Sequence, residues 1–566
     1  MLLGAPIRCP RAHCMAKPSI RIKRQTVAQL LKHVDSGRFA VPKLQREFVW
    51  DGPKAAKLLD SIMAEMPVGV VMIWETPKSL RLFLRQAYHV LPPFKPTNRK
   101  VWFLIDGQQR VSVLHHSKEG TLLKNARGSE IDFSRVVFAL DPRDEGPRIR
   151  YRKPVEGHYE SMRHVLHPQW RSRLSHLGAR QRRRVEECRA SVLGYPMHMM
   201  FVDGKLDQIR ESFLRINTQG MKITTADAIF TRAEELELRD IRHDVRQQID
   251  ESFGRLDEMP ILFAMAAIHG GTEARGEALK KALERLEAEA QENPRRRKQL
   301  AKHWHRLAVC FGKAVDYLRQ HFRVINQDYL YSDYVVAMLA IFFYWNRKGL
   351  PTSKKEQIRK WFWATTVGSR YTGRNFLRCL PEDLKFFKRL ADKSNGRFTY
   401  RPEVERVDVR KAQFAARTGI TTAFYAMMIK RGPVSILDTG LNEIPTDRYA
   451  SSANRKDRHH IFPRAPLSHA GVPPSLYNSI CNICLLTAEE NQRIGSRSPR
   501  QYLGDAKETG TYFNRKAGRH LIPVHEESGI WHRTIKKGYQ AFVKERMDVI
   551  CDALESEAGI RLFRDA

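Results

Sequence analysis

No apolar run in this chain approaches the roughly 20 residues that a membrane-spanning helix needs. The most hydrophobic segment, DYVVAMLAIFFYW at 333–345, covers 13 residues and reads as a core helix. The opening residues, MLLGAPIRCPRAHCMAKPSI, hold no continuous apolar stretch, so no signal peptide is read there. Cysteine is scarce, eight in 566 residues and irregularly spaced, which excludes a disulfide scaffold and leads us to expect a reducing, cytoplasmic compartment. The pattern G-x-x-x-x-G-K-[ST] does not occur, which removes a P-loop as a source of nucleotide chemistry. Internal repeats and low-complexity tracts are absent as well. Acidic residues are the minority: 62 Asp plus Glu stand against 98 Lys plus Arg, a formal net charge of +36. Such a surplus implies attraction to a polyanion, and nucleic acid is the usual one.

A chain of this length exceeds one core and is expected to fold as several domains, an α+β multidomain protein. The ordered pattern begins with IRIKRQTVAQLL, which leaves Met1 or Met15 as the start and residues 1–19 outside the first domain, disordered or misassigned. Residues 20–235 read as a mixed α and β domain. Asp51 is placed to cap a helix, Pro53 suits its first turn, and Leu58, Leu59, Ile62 and Met66 form one apolar stripe. VGVVMIW, VWFLI at 101–105, RVVFAL and PMHMMFV read as buried strands, and LDQIRESFLRIN as a helix with Ile209 and Phe213 on one face. Residues 236–400 carry mostly helical periodicity, and 401–566 are punctuated by Pro and Gly with short elements. Basic clusters at 180–184 and 294–306 are either solvated helix faces or nucleic-acid contacts.

The densest chemistry lies in DRHHIFPRAPL at 457–467 and SICNICLLTAEENQRIGSRSPRQYL at 479–503. Phosphodiester hydrolysis needs a base to activate water and a divalent ion to stabilise charge on the phosphate. Neutral histidine is the right base near pH 7. Adjacent histidines on an extended segment face opposite sides, so one can bind metal while the other meets the water. ICNICLLT reads as a strand and EENQRI as a helix from which Asn491 can reach the ion. Cys481 and Cys484 have no partner CxxC, and buried strand filler accounts for them better than structural zinc.

This order of motifs resembles the ββα-metal (HNH) nuclease fold, in the branch that carries His-His-Ile-Phe-Pro. The resemblance implies His460 as general base, His459 and Asn491 as metal ligands for Mg²⁺ or Mn²⁺, and Asn482 as the Asn that orients the base. The intervals, 22 residues from His460 to Asn482 and 9 from there to Asn491, suit the family. Asp457 either assists or leads into the strand.

Toward the other end, QREFVW at 45–50 and FLIDGQQR at 103–110 stand out. In the second, an apolar strand ends at Asp106, turns at Gly107 and leads toward a helix, where backbone N–H groups and Arg110 can meet an anion; Arg46 can join from the first. An Asp-Gly turn with solvated neighbours explains the same residues. QREFVW, DGQQR and SFLRINTQGMKITTADA are similar, in order, to motifs of the ParB-like domain of GmrSD-type modification-dependent restriction enzymes. WFWATTVGSRYTG resembles the segment that joins that domain to the nuclease domain. The resemblance implies a ParB/sulfiredoxin-like α+β domain, a helical middle region and a C-terminal HNH domain. It also implies nucleotide binding or hydrolysis, with control of the nuclease, for Gln45, Arg46, Asp106, Gly107, Gln108, Gln109 and Arg110; Asn217 and Gly220 would shape that pocket.

The expectation is therefore a metal-dependent DNA endonuclease, type IV-like and anti-phage, licensed by a domain that senses an NTP or a DNA modification. Modified or phage DNA and a nucleotide are the expected partners, a membrane is not, and oligomerisation stays open. The alternatives are a ParB-like DNA-binding adaptor, or an NTPase effector with a non-cleaving HNH domain.

Overall fold

The fold is taken from a computed structural model. It describes residues 19–42, 48–77, 91–95, 100–124, 129–141, 146–204, 208–209, 238–272, 274, 276–373, 376–392, 396–445 and 459–564. The chain divides into two compact units, Met1–Glu234 and Glu235–Ala566, so the segments 236–400 and 401–566 lie in one unit.

In the first unit a five-stranded mixed sheet is the frame. Its strands are β1 (Ser19–Thr26), β2 (Phe39–Ala40), β3 (Val71–Pro77), β4 (Lys100–Asp106) and β10 (Pro196–Asp203), in the order β1-β10-β3-β4-β2. β10 runs parallel to β3 and β2 parallel to β4; the other pairs are antiparallel. Between β4 and β10 the chain makes a hairpin, β5 (Leu122–Lys124) with β6 (Glu130–Asp132), and a three-stranded sheet of β7 (Val136–Ala139), β8 (Ile149–Tyr151) and β9 (Tyr159–Ser161). Four helices cover one face: α1 (Val27–Asp35), α2 (Gly52–Met63), α3 (Gln108–Glu119) and α4 (Ala179–Gly194). Leu30, Leu59, Ile62, Val111 and Val185 meet Ile73, Leu104, Met199 and Phe201 there in one buried cluster. The opposite face gathers Met72, Trp74, Phe103, Ile105 and Ile209.

α2 starts where the sequence places it. The Asp51 carboxylate accepts from the Lys54 N–H at 2.9 Å, and Pro53 sits in the first turn. Its stripe is one residue shorter than expected. The helix ends at Met63, Glu65 takes a left-handed conformation with φ 56°, and Met66 is left exposed. Phe213 lies outside the described residues, as does most of the expected helix around it.

The second unit is mainly helical. Its larger elements are α5 (Leu238–Gln248), α6 (Glu258–Ala267), α7 (Gly276–Glu292), α8 (Pro294–Phe322), α9 (Tyr334–Trp345), α10 (Thr352–Val367) and α11 (Phe376–Asp392). They are followed by α12 (Arg406–Lys411), α13 (Gly419–Lys430), α14 (Arg464–His469), α15 (Ala488–Ile494), α16 (Pro499–Thr509), α17 (Phe513–Arg519) and α18 (Ile535–Ala558). α9 is the apolar helix of the sequence, buried because α6, α8 and α11 all pack on it. No helix among the described residues is long and apolar enough to cross a membrane. The aromatic and Arg-Tyr segment at 361–373 ties α10 to α11. Trp361 donates to the Tyr371 hydroxyl, and both, with the Arg370 guanidinium, converge on the buried Asp383 carboxylate. Burial pushes that carboxyl up, against the pull of Arg370.

Candidate active site

The two histidines form a strand of their own, β11 (His459–His460), paired antiparallel with β12 (Ile483–Cys484); His459 faces Cys484 and His460 faces Ile483. The Ile461 N–H donates to the Asn482 carbonyl at 2.8 Å and extends the ribbon by one bond. α15 follows directly, started by the Thr487 hydroxyl, which accepts from the Glu490 N–H, and ended at Gly495 with φ 58°. Strand, strand and short helix therefore lie in close sequence, with the histidines on the first and Asn491 on the third.

Strand alternation separates the two imidazoles. His459 is buried, and its Nδ1 lies 2.6 Å from Asn491 Oδ1. The Tyr502 ring stands edge-on to it, with centroids 5.8 Å apart, while the Tyr502 hydroxyl donates to the Ile461 carbonyl. Burial pulls the His459 pKa down to about 4, so the ring is neutral at pH 7. Nitrogen and amide oxygen converge on one point, where a proton on Nδ1 completes a hydrogen bond. A neutral imidazole nitrogen and an amide oxygen are also donors that a divalent ion accepts, so these two residues fit a metal site.

His460 is half-buried, edge-on to Phe414, with Nε2 3.0 Å from Asn478 Oδ1. An amide oxygen accepts, so Nε2 carries the proton and the lone pair sits on Nδ1. Asn478 is a residue that sequence reasoning missed. Asn482 reaches backbone groups and not the His460 ring. Fully buried, it accepts from the Phe462 N–H at 2.8 Å and donates to the Phe462 and Tyr477 carbonyls, each at 3.0 Å. Its three bonds lock the chain after His-His-Ile-Phe to the chain before β12, so its hold on His460 runs through backbone.

A second layer fixes the ribbon from below. Arg546, on α18 and fully buried, donates to the carbonyls of Ile480, Cys481, Ile483, His520 and Leu521. Five N–H donors meet five carbonyls with no carboxylate, and burial lowers the guanidinium only to about 10, so it stays charged. Glu490 is another buried ionisable group, its carboxyl pushed up by burial, whose Oε1 accepts from the Ile436 and Leu437 N–H groups and the Ser435 hydroxyl. Cys481 and Cys484 are fully buried, and burial pushes their thiols up to about 11 and about 12, which suits strand filler and not metal thiolates.

In the first unit, Asp106 ends β4 and Gly107, with φ 93°, turns the chain into α3. Glycine is required there: a Cβ would meet the Val71 Cα at 3.3 Å in a left-handed conformation. Arg110 turns back on the strand end, with Nη2 2.9 Å from Asp106 Oδ2 and Nη1 donating to the Val68 carbonyl at 2.7 Å. Gln109 Oε1 accepts from the Val49 N–H, which ties the helix start to QREFVW, and Gln108 is buried, its Oε1 without a partner among the described residues. Asp106 and Arg110 thus pair with each other at the start of α3. Gln45, Arg46, Asn217, Gly220 and Asp457 lie outside the described residues. Asp35, His115 and Glu119 form a cluster of metal-ligand type, but Lys118 Nζ, 2.7 Å from Asp35 and 3.1 Å from Glu119, already supplies a cation.

The chain aligns with an uncharacterized protein of Methanocaldococcus jannaschii at 22% identity, over 85% of this chain and 86% of that one. Residues 27–233 match the profile of the N-terminal domain of the GmrSD restriction endonucleases, a stretch that contains the β4–α3 turn and both Gly107 and Arg110. Over that stretch the chain is similar to the N-terminal domain of the GmrSD restriction endonucleases.

Proposed function

We propose that this protein is an HNH-type endonuclease that cuts DNA in a metal-dependent reaction, under the control of its N-terminal domain. The observation that carries the reading is the convergence of His459 Nδ1 and Asn491 Oδ1 at 2.6 Å, with His460 next in the same strand and turned the other way. A divalent ion such as Mg²⁺ or Mn²⁺ would be held by His459 and Asn491 and would supply charge neutralisation at the scissile phosphate and leaving oxygen. His459 offers a neutral nitrogen because burial keeps it unprotonated. His460, with its lone pair on Nδ1, takes the proton of the attacking water, and Asn478 holds that tautomer. Asn482 and Arg546 keep the ribbon from deforming as the base changes charge.

The N-terminal domain senses an NTP, a DNA modification, or both, and licenses cutting, a role that fits defence against phage. Nicking of supercoiled plasmid tests the chemistry: EDTA stops it, and Mg²⁺ or Mn²⁺ restores it. Cutting that persists in excess chelator overturns the mechanism. Control is tested on the same protein by comparing modified with unmodified DNA across a set of NTPs.

A further inference from the structure

Several cations on the helices of this chain are taken up by neighbouring carboxylates. Lys280 pairs with Glu277, Lys360 with Glu356, Arg183 with Glu187 and Arg296 with Glu289. α11 is different. Lys385, Lys388 and Arg389 project from its exposed side, and none of them pairs with a carboxylate among the described residues. The one acid placed three residues before Lys385, Glu382, is taken by Arg370 at 2.7 Å. Arg397, exposed just beyond the helix, likewise has no carboxylate partner among the described residues.

These cations stand between two concavities. One, of about 500 Å³, is bounded by the Gly270–Gly271 turn, Leu384 and the half-buried Trp345, whose ring Lys388 Nζ overlies at 5.0 Å. The other, of about 320 Å³, is bounded by Phe398, Tyr400 and Arg397. Lys385 and Arg389 line both. Unneutralised like charges on one helix face repel one another and cost stability. A row of such charges flanked by apolar-walled hollows is what a DNA backbone matches: phosphates on the ridge, deoxyriboses against the walls beside it.

We propose that the exposed face of α11, with Lys385, Lys388 and Arg389 at its centre, is a DNA-backbone contact surface of the second unit. The inference rests on DNA being the substrate. Binding of a fluorescein-labelled DNA duplex by the full chain, in EDTA and at graded salt, tests it. Each phosphate that the protein ceases to neutralise lowers the slope of log K against log salt by ~0.9. The triple variant Lys385→Ala, Lys388→Ala, Arg389→Ala is expected to lower it by roughly 2–3. The control removes three charges that are already paired with carboxylates, Lys280→Ala, Arg285→Ala and Lys360→Ala, and is expected to leave the slope nearly unchanged. An unchanged slope in the ridge variant, or an equal fall in both, overturns the surface. The single charge reversal Lys385→Glu gives the same readout should the triple variant fold poorly. RNA of the same sequence bound equally or more tightly, and released by the ridge variant, overturns DNA as the occupant. A wild-type chain without salt-sensitive DNA binding overturns both this and the nuclease reading. Wild-type binding that the ridge variant retains overturns the surface alone.

Discussion

In the dipeptide His459-His460, one imidazole is buried against Asn491 and Tyr502, and the other is half-buried against Phe414 and Asn478. On the proposed role of the second as base, His460→Ala is expected to lower plasmid nicking by about 10²–10⁴ with the fold retained, read by nicking rate and circular dichroism. Removing Asn491 acts on the other ring. Asn491→Ala should shift the Mg²⁺ titration of nicking to higher concentration, and an unshifted titration would take Asn491 out of the metal site. Burial has a cost at low pH. His459, His520 and His269 are each held at about 4, below the ordinary 6.5, so between those values the unfolded chain binds protons that the folded chain refuses. The stability they allow is fully present above pH 6.5 and is lost as pH falls toward 4, at up to ~1.4 kcal/mol per pH unit for each histidine. Urea midpoints measured from pH 7 to 4.5 should show this, and His520→Gln should show it less steeply. At this scale the sequence displayed His459, His460, Asn482 and Asn491, because they cluster within a few turns of chain. Asn478 and Glu490 lie in the same stretch, yet their partners, like those of Arg546, are contributed by folding.

Among elements, α2 was legible from one end to nearly the other, since capping and periodicity are local: Asp51, Pro53, Leu58, Leu59 and Ile62 all take their expected places. The stop was not, because it depends on Glu65 entering a left-handed turn. ICNICLLT shrinks to a two-residue strand for a related reason. Ile480–Asn482 wind into a 3₁₀ turn so that Asn482 can reach Phe462 and Tyr477. So short a ribbon has little ladder of its own, and α18 holds it. Arg546→Met would leave five carbonyls without their donors, at ~1–3 kcal/mol for each one that finds no other. Urea unfolding should register a loss of several kcal/mol, with nicking lost in parallel; a variant as stable as the wild type would show that α18 docks by apolar packing alone.

Over the whole molecule, the charge balance and the motif order pointed to DNA and to two functional ends, while the helical middle gave no sign of belonging with one end or the other. The division at Glu234 and Glu235 assigns it to the C-terminal side. A fragment spanning 235–566 is accordingly expected to fold cooperatively and to nick plasmid with Mg²⁺, with no response to nucleotide. Thermal unfolding and nicking of that fragment check both halves of the statement, and a fragment that cuts only when the N-terminal domain is added back would show that the first unit completes the site.

The Arg546 clamp also orders events in time. His459, His460, Asn482 and Asn491 are all made before residue 546 exists, yet the ribbon that presents them hangs on its guanidinium. A chain still being translated between those points carries all four of these residues and lacks the part that holds their ribbon taut. On the nuclease reading proposed above, a nascent copy would stay inactive until α18 has emerged and docked.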